Sequence, residues 1–143
     1  MKCEITIGSS HEEGIWIYAN EKSELINRIE NLVQSDNAEI IGYTDREILK
    51  ISPSDVYCFF VEDNKVYALT KNEKLLVKQR LYKIEEILND DFVKINQSCI
   101  ANIKKIKKFD VSFGASMIVE FKNGYRDYVS RRQLKTVKER FGI

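Results

Sequence analysis

Amide-bearing and basic side chains gather at the predicted turns of this 143-residue chain. They are Asn64, Lys65, Asn96, Gln97, Ser98, Lys105, Arg131 and Arg132. An arginine can hold guanine O6 and N7 with two hydrogen bonds, and an asparagine or glutamine can hold adenine N6 and N7 in the same way. Lysine, serine and backbone amides suit phosphate oxygens. This chemistry indicates a surface that binds nucleic acid.

The same side chains also have ordinary structural explanations. Asn96 can serve turn chemistry alone, and Arg131 and Arg132 can form ion pairs with acidic residues of the first third of the chain. Residues 1–93 hold 11 Lys/Arg and 18 Asp/Glu, a net charge of −7, whereas residues 94–143 hold 12 and 4, a net charge of +8. Such a basic last third favours a polyanion-binding face, with a solvated lysine-rich surface as the alternative.

Catalytic chemistry has little support in the sequence. His11 is the single histidine, so a zinc site of ordinary ligand spacing or a Ser/His or Cys/His pair would depend on it alone. The three cysteines, Cys3, Cys58 and Cys99, include no CxxC pair, and the last two stand in apolar surroundings. This pattern predicts reduced, buried thiols in a cytoplasmic protein. We expect no enzymatic activity, no metal, no cofactor and no small-molecule substrate.

The elements that position these residues form one domain with a small N-terminal appendage. No apolar run approaches the roughly 20 residues of a membrane span, and the N-terminus shows no secretory signal. The sequence pattern of residues 1–38 predicts a strand-strand-helix segment. Its predicted strands are Cys3–Ile7 and Gly14–Ala19. Asn20 can cap the helix, whose apolar stripe spans Leu25–Val33.

From residue 39 onward the pattern changes to short strands separated by frequent turn signals, which is typical of antiparallel sheets. One short helix, at Leu81–Leu88, interrupts the strands, and a hairpin is predicted around Gly114-Ala115. The C-terminal helix is predicted to begin at Ser130, which fits a capping box with Gln133. The fold class is therefore mainly β with α (α+β), preceded by the β-β-α segment.

Two segments of the chain resemble the LytTR family of DNA-binding domains. Residues 92–106, FVKINQSCIANIKKI, resemble the family's apolar strand that runs into an Asn/His-x-Ser segment and then Val/Ile-x-Asn. Residues 121–132, with FKNG followed by YVSRR, resemble the second half of the pattern, and Leu134-Lys135 follows. The resemblance covers about residues 40–143. The two motifs together are specific, whereas either alone would be weak.

The resemblance implies short antiparallel sheets with a small intervening helix. It also implies that loops, rather than a recognition helix, enter successive major grooves of double-stranded DNA bearing direct repeats. The family's base-reading positions fall on Asn96 and Arg132, with a third at Asn64, where many members carry histidine and where Lys65 follows. The side chains implied to serve the DNA backbone are Gln97, Ser98, Lys105 and Arg131.

Residues 1–38 are too short for the receiver domain that many relatives carry, so the chain resembles the stand-alone branch of the family. That branch implies a cytoplasmic transcription regulator controlled by a partner protein rather than by phosphorylation. The implied partners are a small membrane-protein inhibitor and a second copy, as a homodimer on tandem repeats. Residues 39–143 would be the DNA-binding domain. Residues 1–38 would serve dimerisation or partner binding, or else cap an open sheet edge.

Two further functions remain open from the sequence. An interaction module could keep the fold, lose DNA and sequester a regulator or a membrane partner, although the basic last third argues against this function. An RNA-binding β platform would need aromatic side chains exposed on one sheet face. The candidates for such a platform are Phe109, Phe113, Tyr125 and Tyr128.

Overall fold

The computed structural model describes residues 2–10, 12–37, 39–111 and 116–143, and these ranges contain helices and two antiparallel sheets. The helices are α1 (Glu24–Asn37), α2 (Leu81–Ile87) and α3 (Arg131–Phe141). The strands are β1 (Ile40–Tyr43), β2 (Ile48–Ile51), β3 (Cys58–Glu62), β4 (Lys65–Leu69), β5 (Lys74–Val77), β6 (Phe92–Asn96), β7 (Cys99–Asn102), β8 (Ile106–Asp110), β9 (Met117–Phe121) and β10 (Arg126–Val129). None of the described helices is long and apolar enough to cross a membrane. His11 and the predicted hairpin tip at Gly114-Ala115 lie outside the described residues.

Seven strands form the main sheet in the order β2-β1-β5-β4-β3-β7-β6, and neighbouring strands are antiparallel. β3 lies inside this sheet because its first three residues, Cys58–Phe60, are apolar and buried on both faces. β10, β9 and β8 form a second sheet. The predicted mainly β, α+β fold is confirmed.

The main sheet has an apolar core on each face, because successive side chains of a strand point to opposite sides. On one face Phe59 belongs to a cluster that includes Ile84 of α2. On the other face Cys58 belongs to a cluster that includes Val119 of β9 and Val137 of α3. The second sheet and α3 therefore cover one face of the main sheet, and α2 covers the other.

The two strands predicted in the N-terminal segment are wrong. The described residues of Cys3–Ile7 and Gly14–Ala19 have no strand pairing, and Ile7 and Tyr18 are 94% and 93% exposed. A strand persists when its backbone N–H and C=O groups pair with a neighbouring strand. Neither segment belongs to the two sheets, so their alternating sequence has no partner within the described chain.

The predicted N-terminal helix is present as α1, but its cap differs from the predicted Asn20. Ser23 Oγ accepts a hydrogen bond from Ile26 N (3.3 Å) and so satisfies a backbone donor of the first turn. Leu25 and Val33 of the apolar stripe remain 45% and 37% exposed. α1 therefore leaves part of its apolar face open to solvent.

Candidate nucleic-acid interface

Three loops meet at one end of the main sheet. They are the β3–β4 turn (62–65), the β6–β7 turn (97–98) and the start of α3 (130–132), and we call them the loop edge. The first two loops are neighbours because β3 pairs with β7 and Val61 N donates a hydrogen bond to Ser98 O (2.9 Å).

The third loop lies on the other side of the β6–β7 turn. Ser130 N donates a hydrogen bond to Ile95 O (2.9 Å), and Asn96 Nδ2 donates one to Tyr128 O (2.8 Å). These bonds hold the end of β10 and the start of α3 against the end of β6. The β6–β7 turn therefore stands in the middle of the loop edge.

The β3–β4 turn has a specific backbone conformation. Asp63 and Asn64 have φ angles of 51° and 62°, both in the left-handed region. Two consecutive left-handed residues match a type I′ turn, whose twist suits a two-residue hairpin, and Asp and Asn tolerate this region better than most residues. The side chains of Asn64 and Lys65 are exposed there, as a binding role requires.

A cation pairs with Glu62, one of the two acidic residues of this turn. Lys74 Nζ lies 2.8 Å from Glu62 Oε1 and 4.3 Å from the ring centroid of Tyr67. The hydrogen bond to Glu62 is the main reason why the pKa of Lys74 is raised above its ordinary value. Because Glu62 is paired within the protein, it repels a polyanion near Lys65 less strongly.

Asn96 is buried, which argues against the predicted base-reading role. The residue is 1% exposed and makes three hydrogen bonds within the protein. Its Nδ2 donates to Asp127 Oδ1 (3.1 Å) and to Tyr128 O (2.8 Å), and its Oδ1 accepts from Ser98 N (2.8 Å). Both amide hydrogens are in use, so none is left for adenine. Asn96 instead supports the β6–β7 turn.

Gln97 and Ser98 are the exposed side chains of that turn. The pairing of β6 with β7 shifts between Lys94 and Asn96, as in a β-bulge. The bulge breaks the alternation of the strand, so that Ile95 and Asn96 are both buried and the following side chain emerges. Gln97, predicted to hold a phosphate, is therefore the amide that stands free at the centre of the loop edge.

α3 begins at Arg131 with Ser130 as its N-cap residue, as predicted, but the capping box is not formed. The Ser130 side chain makes no capping hydrogen bond, and Gln133 N bonds to Ser130 O (3.0 Å) instead. Arg131 and Arg132 are exposed, and among the described residues neither forms an ion pair. The alternative that acidic residues neutralise them is therefore not observed. Two guanidinium groups at a helix N-terminus suit an anion.

Lys105 lies away from the loop edge. β7 begins beside the loop edge at Cys99 and ends at Asn102, and Lys105 follows that far end, so the strand alone separates them by about 14 Å. Its Nζ lies 5.3 Å from the ring centroid of Tyr57, and its side chain lines a cleft of about 310 Å³ with the turn at 70–73. The structure does not bring Lys105 to the other predicted phosphate contacts.

A partly buried network lies beneath the loop edge. Tyr125 OH donates a hydrogen bond to Asp127 Oδ2 (3.5 Å), and burial followed by the charge of Asp127 raises the pKa of Tyr125 above its ordinary value. Cys58 and Cys99 are free and buried, as predicted. A hydrogen bond with Cys58, followed by burial, raises the pKa of Cys99. The phenol and the thiol therefore remain protonated at neutral pH.

The fold and the loop edge define a class of β-sheet domain that presents three loops at one end of a sheet. The chain matches the LytTr DNA-binding domain family over residues 46–142, and it belongs to this family. It is 34% identical to uncharacterised HTH-type transcriptional regulators from Staphylococcus aureus strains COL and N315, over 100% of this chain and 99% of theirs. A solved LytTr DNA-binding domain of a methyl-accepting/DNA response regulator from Bacillus cereus matches with a TM-score of 0.69 at 21% identity. That match covers 74% of this chain and 98% of that chain.

The match to the Staphylococcus aureus relatives spans nearly their whole length, which supports the resemblance to the branch without a receiver domain. Their name includes a helix-turn-helix designation. In the described part of this chain, strands separate each helix from the next, so that a helix-turn-helix unit is not formed there. The Bacillus cereus domain agrees with the observed fold instead.

Proposed function

We propose that the protein is a transcription regulator that binds specific sites on double-stranded DNA through the loop edge. The observation that carries the proposal is the row of three exposed loops, each with a side chain suited to a base or a phosphate. Membership of the LytTr family and the relatives named as transcriptional regulators support the DNA-binding class. Such a regulator acts in the cytoplasm.

Gln97 takes the central base-reading role that the sequence assigned to Asn96. A glutamine amide offers adenine the same donor and acceptor as an asparagine amide. Arg132 reads guanine from one side of Gln97, and Asn64 contacts a base from the other side. Because the loops form a row, they fit adjoining segments of the major groove at a direct-repeat site.

Phosphate contacts flank the base contacts in this proposal. Lys65 and Arg131 bring cations next to Asn64 and Arg132, and the Ser98 hydroxyl can donate to a phosphate oxygen. The first amides of α3 add the positive potential of a helix N-terminus.

Replacing Arg132 tests the proposal. Genomic fragments selected by the wild-type protein supply the operator, and affinity is measured for the operator and for a shuffled duplex. Arg132→Ala should weaken operator binding by about 1–3 kcal/mol, with a much smaller effect on the shuffled duplex. Arg140→Ala removes an equal charge from an exposed position in the last turn of α3 and should affect both duplexes weakly. The proposal fails if the wild-type protein prefers no fragment, or if the two variants behave alike.

Residues 1–38 join two copies of the protein on tandem repeats in this proposal. Trp16 and Tyr18 are 66% and 93% exposed, and Gly14–Asn20 carries no charge, so two copies can meet there without repulsion. Sedimentation velocity should show a dimer that Trp16→Glu converts to monomer, whereas Tyr82→Glu, at an exposed aromatic of α2, should leave it intact. A monomeric wild-type protein at micromolar concentration would contradict dimerisation.

Control by a partner protein rather than by phosphorylation is the second part of the regulatory proposal. The exposed apolar side chains of the N-terminal segment also suit a small membrane protein, as the resemblance implies. Co-expression with a small membrane protein encoded beside the gene should lower operator occupancy and move the regulator to the membrane fraction. Unchanged occupancy would contradict this control.

An interaction module that has lost DNA is the second candidate function. The burial of Asn96 favours it, because one expected base contact is missing. A shift assay with genomic fragments at low salt separates the two functions, since a module would bind none of them.

The RNA-platform alternative loses support. Phe109 packs edge-on against Phe141, with 4.6 Å between ring centroids, and Tyr125 packs against Phe60 at 5.5 Å. These two rings serve the protein interior rather than a shared open face. Tyr128 is 56% exposed but has neither of them as an open neighbour, and Phe113 lies outside the described residues.

A further inference from the structure

We infer that Asp127 positions the loop edge for base recognition and does so without contacting DNA. The inference rests on the proposed function and concerns the relative placement of Gln97 and Arg132. These two side chains belong to different elements. Their separation and orientation therefore depend on the contacts that join β6 to β10 and α3.

Asp127 joins these elements through Asn96. Its Oδ1 accepts hydrogen bonds from Asn96 Nδ2 (3.1 Å) and from Tyr128 N (2.8 Å), and its Oδ2 accepts from Tyr125 OH (3.5 Å). Asn96 extends the connection by donating to Tyr128 O and accepting from Ser98 N. One carboxylate is thus held between β10 and the β6–β7 turn.

Asp127 also helps to set the orientation of the Asn96 amide. Asp127 Oδ1 and Tyr128 O are both acceptors, so together they select the NH₂ end of the amide. The carbonyl end must then face Ser98 N, which closes the β6–β7 turn. Loss of the carboxylate would leave one amide hydrogen without its acceptor and loosen the turn that presents Gln97.

The charge of Asp127 needs an explanation at a surface that binds a polyanion. The residue is half-buried and lies four positions before Arg131, the first residue of α3, yet its oxygens face Asn96 and Tyr125. A carboxylate turned outward would repel phosphate. Its inward hydrogen bonds indicate a positioning role instead.

Loss of Asp127 should reduce discrimination rather than general attraction to DNA. Asp127→Ala should lower the ratio of operator affinity to shuffled-duplex affinity about tenfold, because recognition groups must be held to within about 0.5 Å. The salt dependence should not change, since no cation is removed. Asp127→Asn keeps Oδ1 and the side-chain shape and should retain most of the ratio. If charge alone mattered, both variants would strengthen binding to both duplexes, which would overturn the inference.

Amide hydrogen exchange of the free protein provides a second measurement of the positioning role, one that does not depend on DNA. Exchange at Ser98 N and Tyr128 N should accelerate in Asp127→Ala but not in Asp127→Asn, while Phe59 N in the main sheet stays unchanged. Asp127→Val replaces the alanine variant if that variant does not fold. Glu120→Ala removes an ion-paired acid from the neighbouring strand β9 and should change neither reading.

The outcomes separate the inference from the function on which it rests. Wild-type exchange and wild-type operator preference in Asp127→Ala would overturn the positioning role. A wild-type protein without operator preference would overturn the proposed function, while the exchange measurement would still report on the connection between Asp127 and the β6–β7 turn.

Discussion

Asn96 and Gln97 are neighbouring amides with opposite environments at the loop edge. Asn96 uses its hydrogen bonds inside the protein, whereas Gln97 is exposed at the centre of the row of loops. A buried amide with satisfied hydrogen bonds contributes to folding, and an exposed amide remains available to a ligand. Substitutions at the two positions should therefore have different effects.

Asn96→Ala should lower the free energy of unfolding by about 1–3 kcal/mol, because it leaves buried hydrogen-bond partners unsatisfied. Gln97→Ala should change it by less than about 0.5 kcal/mol, as expected for an exposed side chain. The same Gln97→Ala variant should weaken operator binding by about 1–3 kcal/mol. Urea unfolding and operator titration measure these effects. The reverse pattern would return the base-reading role to Asn96.

The residue types predicted an amide at this turn but not which of the two amides faces outward. That choice depends on the shifted pairing of β6 with β7, which buries both Ile95 and Asn96. A bulge is set by the neighbouring strand, so a pattern read along one strand does not reveal it. Arg132 was easier to place, because the N-cap signal at Ser130 marks the start of α3 in the sequence itself.

At the scale of elements, the loop edge depends on short connections with defined backbone angles. The β3–β4 turn places Asp63 and Asn64 in the left-handed region, which fixes the direction in which the hairpin tip points. Asn64 therefore has two separable properties, its backbone conformation and its side chain. Glycine at this position keeps the first and removes the second.

Asn64→Gly should keep the thermal stability of the protein and weaken operator binding. Asn64→Ala should also lower the free energy of unfolding, by about 1 kcal/mol, because alanine is strained at a φ of 62°. Thermal unfolding and operator titration on both variants separate the effects. A glycine variant that binds the operator as tightly as wild type would show that Asn64 serves the turn alone.

The strands of both sheets could be predicted from the sequence where turn-forming residues flank short apolar runs. The pattern failed at Cys3–Ile7 and Gly14–Ala19, because alternation indicates a side-chain pattern but supplies no partner strand. The basic run also contains part of a strand, because Lys107 and Lys108 are exposed residues of β8.

At the scale of the whole molecule, two lysines of the predicted DNA-binding set lie at opposite ends of the main sheet. Lys65 lies in the loop edge, and Lys105 lies beyond the far end of β7. Lys65→Ala should reduce the slope of log affinity against log salt by about 1, because one phosphate contact is lost. Lys105→Ala should leave the slope unchanged. Shift assays at several salt concentrations measure it, and equal effects would place Lys105 on the DNA.

The half-buried Tyr125 makes stability sensitive to alkaline pH. Burial and the charge of Asp127 raise the pKa of Tyr125 in the folded protein, whereas the unfolded chain releases the proton near its ordinary pKa of about 10. The stabilisation is therefore fully present below about pH 10 and is lost as the pH rises toward the folded pKa. Tyr125→Phe should reduce the loss of urea stability above about pH 10. A loss identical to that of wild type would contradict this origin.

The three loops of the loop edge lie more than thirty residues apart along the chain. An unfolded chain carries the same positive charges without their arrangement, so it attracts DNA but does not choose among sequences. Operator DNA therefore binds the native state more tightly than the unfolded chain, and mass action adds up to about 2.7 kcal/mol of stability at a free concentration one hundred times Kd. Protein molecules bound to operator DNA should survive heat stress or proteolysis longer than unbound molecules. The lifetime of the regulator therefore depends on the fraction of it that is bound to DNA.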